Sequence, residues 1–96
     1  MFRITSSKGF HIEFPNGVTV SVQFGGGNYC DNYDEIEIGR EPSLHILESY
    51  TAEVAVWIRG GHWITREFYP EDNDDVHGHA DTEEVLRLLN WAAQHI

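Results

Sequence analysis

The sequence predicts an α+β domain: an antiparallel β-sheet of about four to five strands, built from two hairpins and packed against one C-terminal helix. Three observations carry that expectation. Residues 10–14 and 18–24 alternate apolar and polar side chains on either side of Pro15-Asn16-Gly17. Residues 52–58 and 62–68 form a second apolar pair around Gly60-Gly61. Residues 81–96 open on an aspartate and repeat apolar residues at three- and four-residue spacing.

Taken in order, residues 2–5 read as a short first strand, punctuated by Ser6, Ser7 and Gly9. In the first hairpin a two-residue loop at Asn16-Gly17 would be the usual choice, but it places Phe14 opposite Thr19 and Ile12 opposite Ser21. A three-residue loop pairs Phe14 with Val18, Ile12 with Val20 and Phe10 with Val22, leaving His11 opposite Ser21 on the other face. Register follows the buried set, since a slip of one residue sends it all to solvent. Pro15 suits the first central position of a type I turn, and Gly17 can take the left-handed conformation after it.

Residues 25–43 are rich in Gly, Asn and Asp and read mostly as loop, with Ile36 and Ile38 able to add a brief edge strand. Residues 52–58 read as a strand buried largely on both faces, and residues 62–68 as its return. A two- or four-residue loop there sets Ile58 opposite Trp63 and Trp57 opposite Ile64. In the helix Asp81 is a good N-cap, and Glu83 and Glu84 suit the positive end of the helix dipole. Val85, Leu88, Leu89, Ala92, Ala93 and Ile96 form its apolar stripe, flanked by Trp91.

A chain of 96 residues, 41% hydrophobic and 12% aromatic, is expected to fold as one domain around one core. No apolar run approaches the ~20 residues that span a bilayer, and no signal-peptide pattern opens the chain. The single cysteine, Cys30, excludes an internal disulfide and fits a reducing compartment. Sixteen acids against six bases give a net charge of −10, which repels nucleic acid and anionic membranes and favours a basic protein surface. A solubility charge with no partner is the plain alternative.

No catalytic set emerges. Gly25-Gly26-Gly27 lacks the Lys-Ser/Thr of a phosphate loop, and no helix pattern follows it. Cys30 stands in no spacing typical of a cysteine hydrolase, so a small buried thiol is the simpler reading. His77 and His79, near Asp74, Asp75 and Asp81, lack the second ligand pair of a zinc signature, so no metal and no cofactor is expected. The run 71–75 is not a calcium loop, since the glycine and distal glutamate are missing. Two groups remain as partner contacts. One is the loop of Asn28, Tyr29, Asp31, Asn32, Tyr33, Asp34 and Glu35, which mixes stacking and hydrogen-bonding side chains; the other is Asp72, Asp74 and Asp75.

The run GFHIEFPNGVTVSVQFGGGNYCDNY, with TAEVAVW and TEEVLRLLNWA, resembles a family of small bacteriophage-encoded proteins; the resemblance spans most of the chain except residues 34–50. It implies a setting in the cytoplasm of an infected bacterium and transfers no catalytic residue. Small acidic phage proteins of this size include inhibitors of host defence, such as anti-CRISPR proteins. The expected function is therefore a non-enzymatic, anti-CRISPR-like inhibitor that binds a host defence protein through an acidic surface. The alternative is a binder that sequesters a nucleotide immune signal, with Tyr29 or Tyr33 stacking on the base. The open edges of a small sheet would also be covered in a homodimer.

Overall fold

The computed structural model describes residues 1–5, 8–25, 30 and 48–96. Among them, six strands form one antiparallel sheet: β1 (Phe2–Ile4), β2 (Gly9–Glu13), β3 (Val18–Gln23), β4 (Ala52–Ile58), β5 (His62–Trp63) and β6 (Val76–Ala80). Two helices accompany them, the single turn α1 (Thr65–Phe68) and the C-terminal α2 (Thr82–Ala93). The α+β architecture of sheet plus terminal helix is the one the sequence predicts. The expected edge strand at Ile36 and Ile38 lies outside the described residues.

The order across the sheet is β1-β2-β3-β4, after which β5 and β6 share the far side of β4. The first hairpin has the expected register, with Phe10 opposite Val22, Ile12 opposite Val20 and His11 opposite Ser21. The Phe14 amide donates to the Val18 carbonyl at 2.9 Å, which closes the three-residue loop. Gly17 there has φ 85°. A Cβ at Gly17 would meet only ordinary contacts, so its requirement is conformational, not spatial.

The second hairpin corrects the expectation. Trp57 faces Trp63 and Ile58 faces His62, one residue away from the expected pairing, because the loop is again three residues, Arg59-Gly60-Gly61. Gly60 and Gly61 supply φ values of 99° and 92°. The physical reason is parity. This register puts Ile64 beside Val56 on the core face, where it is 1% exposed, and leaves Trp57 and Trp63 together on the opposite face. The return strand also stops early. Only His62 and Trp63 pair, and the chain then turns into α1 where a strand to Phe68 was expected.

That early departure leaves a gap beside Val56 that Thr65 fills. Its buried hydroxyl accepts from the Val56 amide at 2.9 Å and donates to the Val56 carbonyl at 3.3 Å, standing in for a ladder partner between β5 and β6. β6 then continues along β4, with Val76 opposite Ala55, His77 opposite Val54 and Ala80 opposite Ala52.

One face of β3 and β4 carries Val18, Val20, Val22, Val54 and Val56, all buried, and α2 lies on it through Leu88 and Ala92, both 0% exposed. Both ends of α2 are capped. Asp81 accepts from the Glu84 amide at 2.8 Å, as expected. At the other end the Asn16 amide, from the first hairpin turn, donates to the carbonyls of Ala92 at 2.8 Å and His95 at 3.0 Å. Asn16 thereby adds a donor at the helix end, where the Ala92 carbonyl also accepts from the His95 amide at 3.3 Å. Trp91 flanks the core against Phe68, with ring centroids 5.3 Å apart. Ala93 and Ile96, assigned to the apolar stripe from their spacing, are exposed instead: the core contact ends at Ala92, Ala93 is the last helical residue, and Ile96 lies beyond the helix.

Thr65→Val keeps the shape but strands a buried Val56 amide, so it should lower the unfolding free energy by about 1–3 kcal/mol. Thr65→Ser, which keeps the hydroxyl, should cost clearly less. Urea unfolding of both variants checks the difference.

Candidate functional site

Between α1 and β6 the chain crosses residues 69–75, and the far edge of the sheet meets the first turn of α2. Because His77 lies opposite Val54, its ring is on the helix side of the sheet. Four side chains converge there. The rings of Tyr69 and His77 stack in parallel, with centroids 3.6 Å apart and planes 4° from coplanar. His77 Nδ1 is 2.6 Å from Asp72 Oδ2; a carboxylate only accepts, so Nδ1 is the donor. On the other side, His77 Nε2 lies 3.5 Å from Glu84 Oε2, and the Tyr69 hydroxyl donates to the same oxygen at 3.5 Å. The last two distances are long, so the Asp72–His77 bond is the strong one.

Burial pushes the Tyr69 phenol well above its ordinary value, with the Glu84 carboxylate as the second cause. Around this cluster the surface opens into a cleft of about 490 Å³ lined by residues 72–74 and 76–79. Residues 71–84 contain Glu71, Asp72, Asp74, Asp75, Asp81, Glu83 and Glu84 and no lysine or arginine. Two arginines border the corner: Arg66 lies 3.5 Å from Asp75, and Arg87 lies 4.0 Å from Glu83. Two arginines offset only two of the seven carboxylates, so the corner stays net negative. Chemically, the cleft offers a cationic group the carboxylates of Asp72 and Asp74 and the ring of His77.

Of the expected partner contacts, Asp72, Asp74 and Asp75 fall at this corner in three different settings. Asp72 is half-buried and committed to His77, Asp74 is exposed and accepts from the Asp75 amide at 2.7 Å, and Asp75 reaches Arg66. Asn28, Tyr29, Asp31, Asn32, Tyr33, Asp34 and Glu35 lie outside the described residues. Cys30 is buried, with its sulfur accepting from the Gly25 amide at 3.2 Å. His79, weighed with His77 as a metal ligand, is exposed with φ 55° while His77 turns inward.

The sequence reading missed Tyr69 and treated His77 and Glu84 separately. The usable signal was the strand itself. Gly78 disguises residues 76–80 as loop, and only a strand there brings His77 to the helix. A second polar-aromatic group lies on the opposite face of the sheet, where His11, Trp57 and Trp63 pack with successive ring centroids 5.0 Å apart. Burial there lowers the His11 pKa, and Arg3 lowers it further.

Fold and site together describe a small α+β domain with an acidic, aromatic-backed corner. No protein-family model, no curated protein and no solved structure matches the chain. Among the described residues no helix is long and apolar enough to cross a membrane.

The raised Tyr69 pKa has a definite sign. The fold favours the neutral phenol, so its stabilisation is fully present below the ordinary value of 10.0 and is lost as pH climbs above it. Stability measured by urea unfolding between pH 9 and 11 should therefore fall more steeply in the wild type than in Tyr69→Phe.

Proposed function

We propose that this protein is a non-enzymatic binding protein, a phage-encoded inhibitor that works in the host cytoplasm by engaging a basic surface of a bacterial defence protein. The observation that carries this reading is the corner just described: seven carboxylates within residues 71–84, with no lysine or arginine among them, two of which, Asp72 and Asp74, line an open cleft. Such a field steers a cationic surface into contact, and an arginine or lysine inserted into the cleft would meet Asp72, Asp74 and the His77 ring. The resemblance to small phage proteins points to a host defence protein as the target.

Two features weigh against the other classes. Among the described residues the closest approach to a catalytic pair is Asp72–His77, but His77 Nε2 faces a second carboxylate where a catalytic dyad would face a nucleophile or a reacting atom. A nucleotide signal would have to bring its phosphates into the same negative field, at a cost the six basic residues of the chain are too few to offset.

The test begins with affinity capture from phage-infected cells, followed by association kinetics on the captured protein. Glu71→Gln, Asp74→Asn and Glu83→Gln together leave the helix cap and the His77 contacts intact. They should slow association by about tenfold at low salt while leaving thermal melting close to wild type. Asp31→Asn, Asp34→Asn and Glu35→Gln test the loop in the same assay. An association rate indifferent to both sets and to ionic strength would reduce the acids to a solubility device and remove the proposal's support.

A further inference from the structure

The two outer edges of the sheet differ in a way that bears on self-association. On β1, the Met1 nitrogen donates to the Glu13 carbonyl at 2.9 Å, the Glu13 amide donates to the Met1 carbonyl at 2.8 Å, and the Thr5 amide donates to the Gly9 carbonyl at 3.1 Å. Antiparallel ladders alternate, so Met1, Arg3 and Thr5 spend their backbone groups on β2. Phe2 and Ile4, opposite Ile12 and Phe10, therefore aim both their amides and both their carbonyls outward. Their side chains are 71% and 84% exposed. They lie on the helix side of the sheet, where the Phe2 ring meets Phe10 edge-on at 6.3 Å, so among the described residues the apolar face runs out to an unpaired edge.

The opposite edge is blunted. β5 is only two residues long, and β6, which pairs with β4 through a register irregularity between Ala52 and Val54 of β4, carries Gly78, a left-handed His79 and the acidic loop ahead of it. Bulges and charges of this kind prevent strand addition. β1 has neither a bulge nor a proline. Its one charge, Arg3, lies on the other face and is held by Glu13 at 3.2 Å.

We propose that the outer edge of β1 is the seam of a symmetric homodimer, in which β1 pairs antiparallel with β1 of a second copy about a two-fold axis at Arg3. In that register Phe2 faces Ile4 of the second copy and Ile4 faces its Phe2. All four outward backbone groups of each edge are then satisfied by four hydrogen bonds. The apolar side chains of both copies form one cluster on the helix side, and because the pairing is isologous it closes at two subunits instead of growing.

Among the described residues charge favours this occupant, since the one like pair at the seam, Arg3 with its symmetry mate, is offset by the Glu13 that holds each arginine. Residues 1–25 hold Arg3 and Lys8 against Glu13, a balance of +1. Residues 48–96 hold ten acids (48, 53, 67, 71, 72, 74, 75, 81, 83 and 84) against Arg59, Arg66 and Arg87, a balance of −7. Self-association through the acidic end would stack like charges. Through β1, each acidic corner lies four strand spacings, ~19 Å, from the seam. The two corners are then several Debye lengths of ~8–10 Å apart, and their repulsion is largely screened. The acidic corners stay free for a partner, so this inference stands or falls separately from the proposed function.

Sedimentation equilibrium over a concentration series should show a mass rising toward twice the 11.0 kDa chain. Ile4→Glu places like charges against the second copy, and Ile4→Pro deletes an outward amide without touching the ladder to β2; both should remain monomeric at the highest concentration, with unchanged circular dichroism. Leu86→Glu, at an exposed apolar position on α2, should dimerise as the wild type does. Arg3→Cys should oxidise readily to a covalent dimer, because facing residues of a non-hydrogen-bonded pair lie ~4.5 Å apart, within disulfide reach. A wild type that stays monomeric throughout, or a dimer that survives both Ile4 substitutions, overturns the proposal. Loss of the dimer in Leu86→Glu alone would place the seam on the helix and overturn it equally.

Discussion

Everything distinctive in this fold depends on the packing of α2 against the valine face of β3 and β4. Val20, Val54, Val56, Leu88 and Ala92 are each 0% exposed, and among the described residues no other surface of the sheet offers the helix a comparable apolar bed. A leucine buried to this degree contributes about 1.5–3 kcal/mol from transfer alone, a large share of the stability of so small a domain. Once the helix is seated, its ends have little freedom. Its C-terminus falls on the first hairpin turn, where Asn16 satisfies the carbonyls of Ala92 and His95, and its N-terminus brings Glu84 to His77 and Tyr69. The acidic corner is a consequence of helix placement as much as of composition.

What the sequence made legible was whatever depended on local parity or local capping. The register of the first hairpin followed from keeping Phe10, Ile12, Val20 and Val22 on one face, and Asp81 announced the start of α2. The same parity reasoning, applied to Ile64, would have given the second hairpin correctly. Cross-strand pairing of Trp57 was weighed instead, and burial of Ile64 decided the register. The early end of β5 was not legible, because it depends on Thr65 finding the Val56 backbone, a contact between residues that share no pattern. β6 was hidden by Gly78 and by a bulge, both of which erase the period-two signal. The site went unseen for the same reason, since Tyr69, Asp72, His77 and Glu84 become neighbours only when that strand is in place.

The sheet is also polarised across its width. At one side lies β1, nearly neutral, with a regular edge and outward apolar side chains; at the other lie β6 and the start of α2, irregular in backbone and dense in carboxylates. Glu13 joins the sheet's few bases near the first edge, where hydrogen bonds from Arg59 and then Arg3 hold its carboxyl below the usual range. Such a division sets a strand edge with outward amides and carbonyls at one side of the sheet and a field of carboxylates at the other. One molecule can thus present two unlike surfaces without either interfering with the other.

The central claim is that the seated helix holds the acidic corner in shape, so the two should open together. Hydrogen exchange read by mass spectrometry on wild type and Leu88→Ala tests this directly. The substitution deletes a fully buried side chain, so it should cost about 2–5 kcal/mol and loosen α2. The account predicts that amides of residues 76–80 lose protection in step with those of 82–93, while β3 remains the slowest to exchange. If residues 76–80 keep wild-type protection while the helix exchanges freely, the corner is held by the sheet alone and the account is wrong.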